Sequence, residues 1–122
     1  MQSVKLFVYG TLMQGFHNHY LLGGAKFVGP ATTQENYSMY VSGIPYVSEK
    51  PATYPIEGEV YEVDKYTLED LDRLEGHPVW YQRKEIPVVL NESKELISAN
   101  LYFNEEPKGS LQKEGNYRKA GI

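Results

Sequence analysis

Along this chain of 122 residues the apolar positions fall mostly into short strand-like runs, with one segment of helical period. Residues 4–9 form an unbroken branched and aromatic run that stops at Gly10, the pattern of a buried strand. Lys26-Phe27-Val28 opens an extended stretch toward Thr32-Thr33. Residues 56–63 place Ile56, Gly58, Val60, Tyr61 and Val63 against Glu57, Glu59 and Glu62, which predicts a half-buried strand. Residues 81–90 and 96–103 predict two more strands joined as a hairpin by the polar Asn91-Glu92-Ser93-Lys94 turn. Pro87 then needs an edge or a bulge. Residues 17–22 predict a short helix ending at Gly23-Gly24. Residues 37–47 are aromatic segments broken by Ser42-Gly43 and Pro45, and residues 50–55, with two prolines, predict a loop. From about residue 107 the tail is polar and without period, so it is either disordered or draped over the body through Tyr117. The sum is an α+β fold: one domain over residues 1–122, a small mixed or mostly antiparallel β-barrel with one or two flanking helices.

The helical segment is residues 67–75, where Leu68 and Leu71 mark a core-facing stripe. Thr67 followed by Asp70 resembles a capping box, Tyr66 is placed to staple onto Leu71, and Gly76 stops the helix. Glu75 continues the stripe, seven residues after Leu68 and four after Leu71, so a carboxylate stands where a leucine is expected. Burial and the negative end of the helix both favour its neutral form and move it toward the range of a general base at neutral pH. Arg83, eight residues on, is the candidate for a compensating cation. A buried Glu75–Arg83 ion pair and a chemical role for Glu75 are both consistent with the pattern.

Composition narrows the classes. Hydrophobic content of 41% and charged content of 23% are those of a folded globular protein. The mean hydropathy of -0.50 and the lack of any long apolar run predict no membrane association. The amino-terminal residues lack the basic flank and apolar stretch of a secretory signal, which predicts a cytoplasmic location. There is no cysteine, so disulfides and thiolate chemistry are excluded. A net charge of -4 argues against a nucleic-acid partner and for a small-molecule ligand. The eleven tyrosines suit a pocket wall with an apolar body and hydroxyls at its rim, although most are equally suited to half-buried strand positions.

Two further segments carry candidate chemistry. In Tyr9-Gly10-Thr11-Leu12 a strand runs into a glycine turn whose successive N–H groups are placed either to cradle an anion or to close an ordinary β-turn. In Gly76-His77-Pro78-Val79-Trp80-Tyr81-Gln82-Arg83, Tyr81 and Arg83 fall on one face of a strand and converge on Glu75, unless Trp80 and Tyr81 are core and Arg83 is solvated. His17, His19 and His77 are the three imidazoles, too scattered for a zinc site, and no metal is expected. No G-x-S-x-G elbow is present.

Taken in order, Tyr9-Gly10-Thr11-Leu12 after a first strand, Gly58-Glu59-Val60-Tyr61, and Leu71-Asp72-Arg73-Leu74-Glu75 with Tyr81 and Arg83 beyond resemble the gamma-glutamylcyclotransferase-like superfamily over residues 6–103. The short chain looks most like its gamma-glutamylamine cyclotransferase branch. The resemblance implies a cofactor-independent enzyme acting on a small gamma-glutamyl conjugate and releasing 5-oxoproline and a free amine or amino acid. It implies that Tyr9, Gly10, Thr11 and Leu12 hold the glutamyl moiety and that Glu75 is the acid/base. Tyr81 and Arg83 are then expected beside the substrate, and Tyr117 as a closure of the pocket from the tail. Residues 37–47 follow the family pattern only loosely, so the leaving group is unassigned. A non-catalytic small-molecule-binding protein on the same barrel is the alternative, and a monomer or a homodimer fits equally.

Overall fold

The computed structural model describes residues 3–119; Met1, Gln2 and the tail residues Ala120, Gly121 and Ile122 lie outside the described residues. Five strands close into a barrel: β1 (Ser3–Val8), β2 (Lys26–Thr33), β5 (Glu57–Asp64), β6 (Gln82–Leu90) and β7 (Leu96–Phe103). Their order around the barrel is β1-β5-β2-β6-β7. Four neighbouring pairs are antiparallel, and the barrel closes through a parallel contact of β1 with β7 at Leu6 and Asn100. Closure leaves no barrel edge unpaired, which a small sheet needs in water. Leu6, Val60, Ala31, Val88 and Leu101, one from each strand, are completely buried.

Pro87 sits inside β6, opposite Ser98 of β7. Its carbonyl accepts from Gln34 N–H at 3.1 Å, so its N-side faces β2 just where the β2 ladder ends at Val88. The missing donor falls where no partner requires it.

The aromatic segments expected over residues 37–47 are two strands of a hairpin, β3 (Ser38–Ser42) and β4 (Ile44–Ser48), which break at Gly43 as expected but run on through Pro45. Pro45 is tolerated because β4 is an edge of this second, three-stranded sheet. Its other edge is β8 (Ser110–Leu111), supplied by the tail. The tail therefore drapes over the body: Gln112 N–H donates to Met39 O at 2.8 Å, and Gly115 bridges Ile56. The short helix expected over residues 17–22 is a 3-10 turn, His19–Leu22.

The helix α1 (Lys65–Glu75) begins two residues before Thr67. Asp64, still extended as the last residue of β5, accepts from Thr67 N–H at 2.7 Å and takes the cap that the sequence pattern gave to Thr67. Tyr66 is largely exposed, so no staple onto Leu71 forms. Leu68 and Leu71 are buried as the stripe predicts. Gly76, left-handed at φ 69, ends the helix, with Gly76 N–H bonded to Arg73 O and His77 N–H to Asp72 O. Among the described residues no helix is long and apolar enough to cross a membrane.

Candidate active site

A cavity of about 830 Å³ opens where the end of β1, the loop after it, β4, the last turn of α1 and the loop into β6 meet. Its volume is that of a pocket for a small organic ligand. Tyr9, Gly10, Thr11, Leu12, Glu75 and Tyr81 all line it.

The 9–12 turn is held from behind. Tyr9 is buried and its hydroxyl donates to Tyr102 O at 2.7 Å. Asn18 Nδ2 donates to Thr11 Oγ1 at 3.0 Å and His19 Nδ1 to Leu12 O at 2.8 Å, while Met13 N–H closes back on Gly10 O. Among the described residues the amides of Gly10, Thr11 and Leu12 donate to no protein acceptor. Gly10 is required by close approach: a Cβ there would stand 2.5 Å from Pro45 Cγ of β4. A larger residue would push β4 away from the turn and open the cavity wall.

Glu75 reaches the cavity from the last turn of α1. Burial raises its carboxyl from 4.5 to about 7, and no partner offsets that rise. Burial also raises the Tyr81 hydroxyl, with the Glu75 charge adding to it. Tyr9 is raised well above its ordinary value, by burial first and then by Tyr81 and Glu75. These three groups thus feel one another in a shared, weakly solvated space. Tyr46 extends the wall, its ring stacked on Tyr81 at a centroid distance of 6.1 Å and an interplanar angle of 4°.

Arg83 does not join them. Its guanidinium is taken by Asp72, one helical turn before Glu75, through Nε at 2.8 Å and Nη2 at 3.0 Å, and Nη1 donates to Asn100 Oδ1 at 3.0 Å. Tyr102 Oη also donates to Asp72, at 2.7 Å. The Glu75–Arg83 ion pair that the sequence left open beside a chemical role is absent, because the bidentate fit to Asp72 holds the guanidinium away from the cavity lining. Burial would raise the Asp72 carboxyl, but the hydrogen bonds from Arg83 and Tyr102 outweigh it and hold it below the usual carboxylate range. Nor does Tyr117 close the cavity: its buried ring packs on Phe16 at 5.3 Å and its hydroxyl donates to Gly43 O at 2.9 Å. It anchors the tail as core. Trp80, weighed as a core residue, is 73 % exposed at the cavity rim.

Asn18, His19, Tyr46, Asp72 and Tyr102 carry no sequence signal that separates them from other loop and strand residues. His77, like His19, is committed to structure, its Nδ1 accepting from Arg83 N–H at 3.0 Å. Among the described residues no cluster of three or more histidine or acidic side chains is disposed to hold a metal ion.

Comparison with known proteins fits this geometry. The chain is 49% identical over 114 residues to a Methanocaldococcus jannaschii protein carrying the provisional name gamma-glutamylcyclotransferase, covering 93% of this chain and 94% of that protein. It is 35% identical over 122 residues to the Danio rerio gamma-glutamylaminecyclotransferase C, covering 88% of this chain and 80% of that protein. The crystal structure of a mouse AIG2-like protein superposes with a TM-score of 0.88 at 28% identity, covering 99% of this chain and 92% of that one. The family model described as gamma-glutamyl cyclotransferase, AIG2-like matches residues 6–119, and the chain belongs to that family.

Proposed function

We propose that this enzyme cyclises a gamma-glutamyl conjugate, releasing 5-oxoproline and the free amine or amino acid, with Glu75 as general acid/base. Family membership supports cyclotransferase activity. The observation that carries the role of Glu75 is its carboxyl, raised by burial alone to about 7, on the same cavity as the undonated amides of residues 10–12. A group near the working pH both accepts and returns a proton.

In the proposed reaction Glu75 takes a proton from the substrate's α-ammonium. The freed α-nitrogen forms a bond to the γ-carbonyl carbon and closes a five-membered ring. As the tetrahedral centre collapses, the bond to the departing nitrogen breaks and that nitrogen receives the proton held by Glu75, while the ring nitrogen gives up its second proton through the same carboxylate to the departing amine, which leaves as the ammonium. Substrate and Glu75 account for every bond and proton, so the scheme calls for no cofactor. The protein's contribution is to fold the glutamyl chain back on itself, which makes the attack effectively unimolecular. Amides of the 10–12 turn are suited to a negative group, the α-carboxylate or the developing oxyanion.

The test follows 5-oxoproline by mass spectrometry for native protein and Glu75→Gln across gamma-glutamyl amino acids and gamma-glutamyl amines. Native protein is expected to turn over at least one of them, and Glu75→Gln, folded, to lose about 10²–10⁴-fold in kcat. Near-native turnover by Glu75→Gln would remove the acid/base assignment.

A further inference from the structure

The large hydrophobic side chains left exposed are distributed unevenly. Tyr20, Phe27, Tyr66, Leu96 and Leu111 stand on separate elements away from the cavity, as scattered surface apolar groups do. The remaining four, Ile44, Leu74, Val79 and Trp80, all line the cavity. Val79 and Trp80 are 82 % and 73 % exposed. Four such residues in one place form an apolar patch of the kind that marks a binding surface.

Their exposure is built into the backbone. The amides of both Val79 and Trp80 donate to Gly76 O, at 2.8 and 2.9 Å, and Asn104 Nδ2 donates to Trp80 O at 3.1 Å. The turn therefore presents these two side chains outward while its polar backbone is satisfied. Position along the chain gives the patch its use. Leu74 adjoins Glu75, and Val79 and Trp80 precede Tyr81, so the patch begins where a departing nitrogen must meet Glu75 to be protonated. The glutamyl head belongs at the other wall, with the 10–12 turn, and the cavity of about 830 Å³ is far larger than that head alone.

We infer that Leu74, Val79, Trp80 and Ile44 form a subsite for the leaving group, selecting conjugates whose departing amine carries an apolar body, aromatic or branched aliphatic. The inference rests on the cyclotransferase reading and adds the substrate class. An aromatic or branched substituent covers the patch and removes it from water, whereas a methyl substituent leaves it exposed.

The experiment compares gamma-glutamyl phenethylamide, gamma-glutamyl isobutylamide and gamma-glutamyl methylamide. It measures kcat/KM with native protein and Trp80→Ala, dissociation constants on Glu75→Gln by calorimetry, and sedimentation of native protein and Trp80→Ala. Native protein is expected to favour the phenethyl over the methyl conjugate by at least ~10-fold, and Trp80→Ala to bring that ratio toward one. Trp80 is solvent-exposed, and an unchanged unfolding midpoint confirms that the variant folds. A native ratio near one, or a ratio unmoved by Trp80→Ala, overturns the subsite. So does a native dimer that dissociates in Trp80→Ala with selectivity intact, which assigns the patch to a second copy of the chain. If native protein releases 5-oxoproline from no conjugate, the cyclotransferase reading fails separately, and the affinity ratio on Glu75→Gln then decides the subsite, ~10-fold supporting it and unity overturning it.

Discussion

Asp72 and Glu75 stand one turn apart on the same helix, and their surroundings push them in opposite directions. Asp72 faces β6 and β7, where Arg83 and Tyr102 supply three hydrogen bonds and hold its carboxyl low. Glu75 faces the cavity, where burial raises its carboxyl to about 7 and nothing answers it. The cation that sequence spacing offers to Glu75 is the one Asp72 captures. One turn of helix thus holds a carboxylate that stabilises the fold and another kept ready for protons. The first supports the second, because it pins the end of α1 against the barrel wall, and Tyr102 in turn accepts the Tyr9 hydroxyl that fixes the 9–12 turn.

The sharpest way to break this contrast is to remove the satisfied member. Asp72→Ala leaves Arg83 and the Tyr102 hydroxyl without their acceptor. It is expected to destabilise the protein by roughly 3 kcal/mol in urea unfolding, the low end for a broken buried pair. The low end applies because the side chains retain 23% and 20% of their exposure.

Next in size is the unsatisfied member. The folded Glu75 carboxyl lies above its unfolded value, so the native state holds the extra proton between about 4.5 and about 7, and stability falls as pH rises through that window. Glu75→Gln should therefore stabilise the protein at pH 8, with a ceiling of roughly 3 kcal/mol reduced by solvent in the cavity, and leave it unchanged near pH 4. Asp72 has the opposite sign. Its folded value lies below 3.8, so its contribution is present above that pH and is lost as pH falls through the folded value. Thermal melts of native protein and Glu75→Gln across pH check both slopes.

The smallest effect tests the support between the two. Tyr102→Phe removes one hydrogen bond to a charged acceptor and is expected to destabilise by about 1.5 kcal/mol in the same urea assay, while Asp72 remains paired with Arg83.

How much of this was legible in the sequence follows from how local each feature is. Glu75 shows itself because a carboxylate on the Leu68 and Leu71 stripe violates a short-range pattern. The barrel strands, the 91–94 turn and the Gly76 stop are equally local. Asp72 offers no such violation, since its partners come from β6 and from Tyr102 on β7 and meet it only when the barrel is assembled. Asp64 displaced Thr67 as the cap because both residue types can cap, and the end of β5 decides between them. The second sheet was hidden for a related reason: it is made of strands short enough to be mistaken for loop, and it pairs Tyr40 with Leu111 across most of the chain. Tyr117 reads from sequence as a pocket closure and is instead the anchor of that tail.

The central claim is that one carboxyl on α1 is held near neutrality by its cavity while its neighbour one turn away is not. Carbon-detected NMR titration of the side-chain carboxyls measures this directly in native protein and Glu75→Gln. The account predicts a carboxyl with a midpoint near 7 that disappears in the variant, with Asp72 titrating below 3.8 in both. A Glu75 midpoint near 4.5 would contradict it.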